Sequence, residues 1–203
     1  MPENNYSVSL RYDKGLGFIG PARGILSDPN RLAMLGEYNL NGTTLEIGLK
    51  DGGFFKPAIY LSWARGVTHS TTNLASLMPK NLGDPWKSII ESLPESKASI
   101  QVDIMSLGGK LYFPFLYGGK ESLKWEFFTP YFGAGVYFTR TKAVIDNQAT
   151  SQFGAGATTV MGIKLLNISI KHISIFLTGD AQVYAGTLFG AVGRCSGGVG
   201  YEF

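Results

Sequence analysis

Charge is scarce in this chain. Asp, Glu, Lys and Arg make up 16% of its 203 residues, against about 25% in a soluble domain. The balance is only +3, and no basic run interleaved with aromatics occurs, so nucleic acid is not an expected partner. Cysteine occurs once, at Cys195, which excludes an internal disulfide framework. Two His and one Cys give no metal-ligand cluster of workable spacing. The glycine pairs do not open a helix after a strand, as a phosphate loop requires, so no cofactor is implied. Long apolar runs are missing too. Stretches such as 111–117 fall far short of the roughly 18–20 residues that a spanning helix needs. The opening Met-Pro-Glu-Asn-Asn lacks the basic and apolar regions of a secretory leader. That fits a cytosolic chain, or a mature chain whose leader has been removed.

What is abundant is apolar, aromatic and small. Hydrophobic residues are 44%, aromatics 13%, and glycines number 27. These are arranged with period two, the signature of strands whose successive side chains point to opposite faces. Residues 6–12 alternate Tyr6, Val8, Leu10 and Tyr12 against Ser7, Ser9 and Arg11. Residues 31–40 and 43–50 read as two further strands joined by Asn41-Gly42, a strong hairpin signal. Residues 98–114, 129–141, 152–166, 173–185 and the closing stretch to Phe203 complete about eight strands. In 98–114 the apolar phase slips, which predicts a bulge near 105–109. Residues 13–30, 51–97 and 142–151 read as loops. The second has a possible short helix from Asp84-Pro85-Trp86 to Pro94, with 54–65 either an extra strand or an extension of the third.

The polar parity collects Arg11, Glu37, Glu46, Asp103, Lys110, Lys164, Asp180, Arg194 and Glu202, together with many Gly, Ser and Thr. Alternation alone does not say which face is inside. Aromatics near strand ends, glycine on the polar face and the low charge favour an inverted sheet: apolar outward, ionised groups enclosed. The expected fold is an all-β closed antiparallel transmembrane barrel of about eight strands, one domain over 1–203. The nine charged residues would form a network of ion pairs filling its lumen, or a narrow polar path.

The chain ends R-C-S-G-G-V-G-Y-E-F, with Tyr201 and Phe203 on the apolar parity. This resembles the closing strand of bacterial outer-membrane barrels. Residues 130–139, P-Y-F-G-A-G-V-Y-F-T, resemble a strand of the same small barrels, as do 152–164; 35–49 resembles their second hairpin. The likeness is to the OmpW family, with opacity and OmpA-like barrels close behind, and covers about two thirds of the chain. It does not extend over 51–97. It implies an outer-membrane location, outer-membrane lipids or lipopolysaccharide as surroundings, and a terminal signal at Tyr201 and Phe203 read by the barrel-insertion machinery. It further implies envelope maintenance or passage of a small hydrophobic solute without catalysis. Phe54, Phe55, Tyr60 and Trp63 are the candidate admission route for such a solute. The alternatives are adhesion through the long loops, or a soluble lipocalin-like carrier. His69-Ser70 invites a hydrolase reading, but adjacent positions rarely bring Ser and His into reach with a third orienting group, and a solvated loop is expected there.

Overall fold

The computed structural model describes residues 6–21, 36–49, 55–72, 96–120, 123–145 and 148–203. These form strands β1 (Tyr6–Pro21), β2 (Gly36–Leu49), β3 (Lys56–Thr72), β4 (Ser96–Tyr112), β5 (Leu116–Lys120), β6 (Leu123–Ile145), β7 (Gln148–Ile170), β8 (Ile173–Gly186) and β9 (Leu188–Glu202). Every neighbouring pair is antiparallel. The order β4-β3-β2-β1-β9-β8-β7-β6-β5 is closed by a β4–β6 pairing. β5 is the foot of β4. Tyr112 opposes Tyr131, the Phe113 amide donates to the Pro130 carbonyl at 2.9 Å, and Leu116 opposes Phe127 in unchanged register. The fold is therefore a closed eight-stranded barrel.

The register fixes its geometry. One way round, Lys14 leads through Asn41, Arg65 and Asp103 to Arg140 on β6. The other way it leads through Cys195, Gly179 and Ile163 to Pro130. The two arrivals differ by ten residues on the same strand, a stagger that goes with strands tilted about 35–45° to the axis. The first and last described residues lie at one end, where the Phe203 amide donates to the Tyr6 carbonyl.

The faces are inverted. Val199 is 55% exposed and Ile175 60%, while Glu46 retains 9%. One cross-strand row circles the wall: Trp125, Ile168, Ile175, Val199, Leu10, Leu45, Leu61, Leu107 and Val136. All nine are apolar, and eight of them are exposed. In water such a girdle would leave far more contiguous apolar surface than a soluble monomer carries. The expectation of a lipocalin-like carrier, with apolar side chains turned inward, is overturned.

Several strand expectations are also corrected. Asn41-Gly42 is not a turn. β2 runs straight through it, opposite Arg65 and Ala64. The glycine answers a close approach, since a Cβ at Gly42 would lie 2.3 Å from the Trp63 carbonyl oxygen. Residues 13–21 continue β1, and 56–72 form a full wall strand, so both expected loops shrink. The count of eight holds because the supposed split of β2 balances β3, whose 54–65 stretch was read as an extra strand or an extension and was not counted. The loop read at 142–151 is mostly strand, with β6 reaching Ile145 and β7 starting at Gln148. His69 and Ser70 belong to the β3 backbone rather than to a loop. The helix read at 84–94 lies outside the described residues.

The bulge expected near 105–109 is absent. β4 pairs without interruption on both sides. Val102 and Ile104 share the inward parity of Ser106 and Lys110, because the lumen itself changes from polar to apolar along its length. The true irregularity is at Phe128 and Leu165, which drop out of the β6–β7 pairing, and β7 carries one extra residue against β8. Phe128 takes φ 50, a conformation costly for a bulky side chain. The gain is a flip of parity. Above it, Phe132, Val136 and Phe138 face out; below it, Leu123, Trp125 and Phe127 do so.

Candidate functional site: the barrel interior

The lumen has two tiers. Towards the end bearing the connections 22–35 and 73–95 it is apolar. Ile19, Val102, Ile104, Tyr137 and Val192 are each exposed by 1% or less. They come from β1, β4, β6 and β9 and interlock with Tyr38, Leu40, Tyr184 and Leu188. Tyr137 satisfies its hydroxyl by donating to the Leu188 carbonyl at 2.9 Å and accepting from the Leu188 amide at 2.8 Å. It meets the Tyr184 ring edge-on at 5.3 Å. Exposure near zero means that a water molecule cannot reach these atoms from either side. No water-wide channel passes this level among the described residues.

Beneath lies Gln182, also wholly buried, which donates to Thr158 Oγ1 at 2.9 Å. Then come the charges. Asp180 is the hub: it accepts from Arg194 Nε at 2.6 Å, from the Tyr131 hydroxyl at 2.6 Å and from Arg11 Nη2 at 3.3 Å. Asp13 is 3.0 Å from Arg11 Nε, an ion-pair contact too misaligned for a hydrogen bond. The Asp13 carboxylate accepts from Ser196 Oγ and Thr44 Oγ1. Next to this, Glu46 accepts from Lys110 Nζ at 2.8 Å and from the Tyr112 hydroxyl at 2.6 Å. Lys110 Nζ sits between the Tyr60 and Tyr131 rings, 4.9 and 5.0 Å from their centroids. Lys164 Nζ lies over Tyr112 and Phe176 at 4.7 and 5.1 Å.

Of the nine residues expected in the network, Arg11, Glu46, Lys110, Lys164, Asp180 and Arg194 are brought together. Asp103 is not. It faces outward and binds Arg65 Nε at 2.6 Å on the outer wall, because β4 keeps its phase and 103 is odd where 110 is even. Glu202 stands apart at the terminus-bearing rim, where Ser169 Oγ donates to it at 3.1 Å. Glu37 falls on the opposite parity of β2 from Glu46, and its side chain lies outside the described residues. Asp13, Tyr60, Tyr112 and Tyr131 complete the cluster without having been expected there. Arg11-x-Asp13 was the available signal, since residues two apart on a strand share a face.

The proposed admission route does not assemble. Tyr60 is 2% exposed inside the lumen, whereas Trp63, three residues along the same strand, is 44% exposed outside. Phe55 packs edge-on against Phe113 at 5.2 Å near the terminus-bearing end. Phe54 is outside the described residues. β3 is paired continuously, to β2 from Ala58 to Val67 and to β4 from Lys56 to Thr72, so no gap opens in the described wall there.

No family model and no curated protein matches the chain, and the likeness to the OmpW family stays a resemblance. Solved structures do resemble it. The attachment invasion locus protein Ail of Yersinia pestis is 11% identical with a TM-score of 0.49, covering 97% of this chain and 98% of that one. Neisserial surface protein A has the same identity and TM-score, with 97% of each chain covered. The N-terminal β-barrel domain of Pseudomonas aeruginosa OprF is 14% identical with a TM-score of 0.44, covering 96% of this chain and 97% of that one.

Proposed function

We propose that the chain is a bacterial outer-membrane barrel that conducts nothing and catalyses nothing, and serves as a rigid anchor working from its loop-bearing end. The plugged lumen carries this reading. Interlocked apolar side chains fill one tier, and hydrogen-bonded ion pairs fill the other. The row of nine apolar residues supports the membrane setting, since lipid takes the place of a core around an inverted barrel. The termini would then face the periplasm. The connections 22–35 and 73–95 would face outward, where surface binding or envelope maintenance is done. Tyr201 and Phe203 are 47% and 61% exposed on the outer wall, which supports their being the signal that an insertion machinery reads. Passage of a small hydrophobic solute would require an opening beside 54–63, and the continuous pairing of β3 argues against it.

The test is conductance. The refolded chain, added to a planar bilayer, should raise conductance no further than a protein-free control. Liposomes carrying it should not swell in small sugars or amino acids. Steady single-channel steps would overturn the anchor reading.

A further inference from the structure

The outer wall carries a second charged constellation. Four residues above the apolar row, towards the loop-bearing end, the register aligns Lys14, Asn41, Arg65, Asp103 and Arg140 across five adjacent strands. Directly beneath it, Tyr12, Trp63 and Phe138 project outward, 55%, 44% and 53% exposed. An aromatic row topped by charge marks the edge of a bilayer's hydrocarbon. Asp103 is the carboxylate of this row. Its Oδ1 accepts from Arg65 Nε and its Oδ2 from Gln101 Nε2 at 2.9 Å. Arg140 stands on its other side and meets no carboxylate among the described residues. The guanidinium carbons of Arg65 and Arg140 lie 5.4 and 5.8 Å from the Trp63 and Phe153 ring centroids. With strands about 4.8 Å apart, the two arginine Cα atoms are roughly 10 Å from each other. Two ring-backed guanidiniums thus flank one carboxylate, which is paired with Arg65 alone and whose oxygens are already occupied. Lys142, exposed one row higher on β6, adds a third cation.

We propose that this patch of β3, β4 and β6 is a binding site for the phosphate of an outer-leaflet glycolipid, gripped between Arg65 and Arg140; this rests on the membrane-barrel reading above. Guanidinium is the side chain suited to phosphate oxygens, which it meets with paired N–H donors. The net positive charge sits at the height where a headgroup phosphate would lie.

The test uses the full chain refolded in detergent and native mass spectrometry. Its probes are bis-phosphorylated lipid A, the same lipid stripped of phosphate, and phosphatidylglycerol. The wild-type chain should prefer the phosphorylated glycolipid to both others by about tenfold. Arg65→Gln with Arg140→Gln should abolish that preference. Asp103→Asn should strengthen it, a change of sign that a purely structural role would not produce. Lys171→Gln, at the opposite end, should leave it unchanged. Equal binding of the stripped lipid or of phosphatidylglycerol would overturn the site, as would a preference that survives the double substitution. Should the double variant not fold, Arg140→Gln alone, which breaks no ion pair among the described residues, should still reduce the preference several-fold. Heat-modifiable gel migration is followed throughout. Its absence in the wild type would sink the membrane reading, whereas its presence with no lipid preference would sink only the site.

Discussion

Asp180 and Asp103 differ little as letters and greatly as physics. Asp180 lies inside, its carboxylate held by Arg11, Arg194 and Tyr131. Removing its charge leaves Arg194 buried without a counterion and Arg11 with Asp13 alone. Asp180→Asn should therefore cost about 3–5 kcal/mol, read as a lower urea midpoint for the heat-modifiable band. Asp103 pairs with an arginine whose side chain is half exposed, and Asp103→Asn should cost no more than about 1 kcal/mol. Equal losses would mean that the two carboxylates share one environment. Sequence alone placed them together because both sit on strands with polar neighbours. What separates them is the phase of β4, and that was obscured by Val102 and Ile104. An apolar residue turned into the lumen looks, in sequence, like one turned towards lipid.

At the scale of the strand, the parity of the wall was legible where one face is uniformly apolar, as in β8 and β9. It was not legible across β6, where Trp125 and Phe127 fall on one parity and Phe132 to Phe138 on the other. The irregularity at Phe128 and Leu165 resolves this conflict, and no residue type announces it. Phe128 at φ 50 makes the point testable. Glycine adopts that conformation freely and a β-branched residue hardly at all. Phe128→Gly should thus be more stable than Phe128→Val by about 1–3 kcal/mol in urea titration; the reverse order would remove the bulge from the account. The outer row predicts a gradient along the strands. Ile175→Arg, in the apolar row, should cost about 2–4 kcal/mol, and Asn39→Arg, beyond the polar row, about 0–1. Equal costs would mean that no hydrocarbon boundary lies between them.

For the whole molecule, the barrel follows from alternation together with closure, and the count of eight was reached although β2 was divided and β3, read as an extra strand or an extension, was left uncounted. Half of the interior followed from the charges. The other half, the Ile19–Tyr137–Val192 tier, was invisible because its residues are of the kind that also face lipid. Together the tiers fill the lumen among the described residues, and the anchor proposed above would work from its ends or its skin. The central claim is that the sheet is inside out, and the lone Cys195 gives a clean background in which to test it. With Cys195→Ser in place, nitroxides can be attached at Val199→Cys and Ser196→Cys in bilayers, and their accessibility read by power saturation. The label at 199 should be reached by oxygen and shielded from a water-soluble nickel chelate, while the label at 196, beside Asp13, should be shielded from both. A label at 199 closed to oxygen, or one at 196 open to oxygen but not to nickel, would contradict the account.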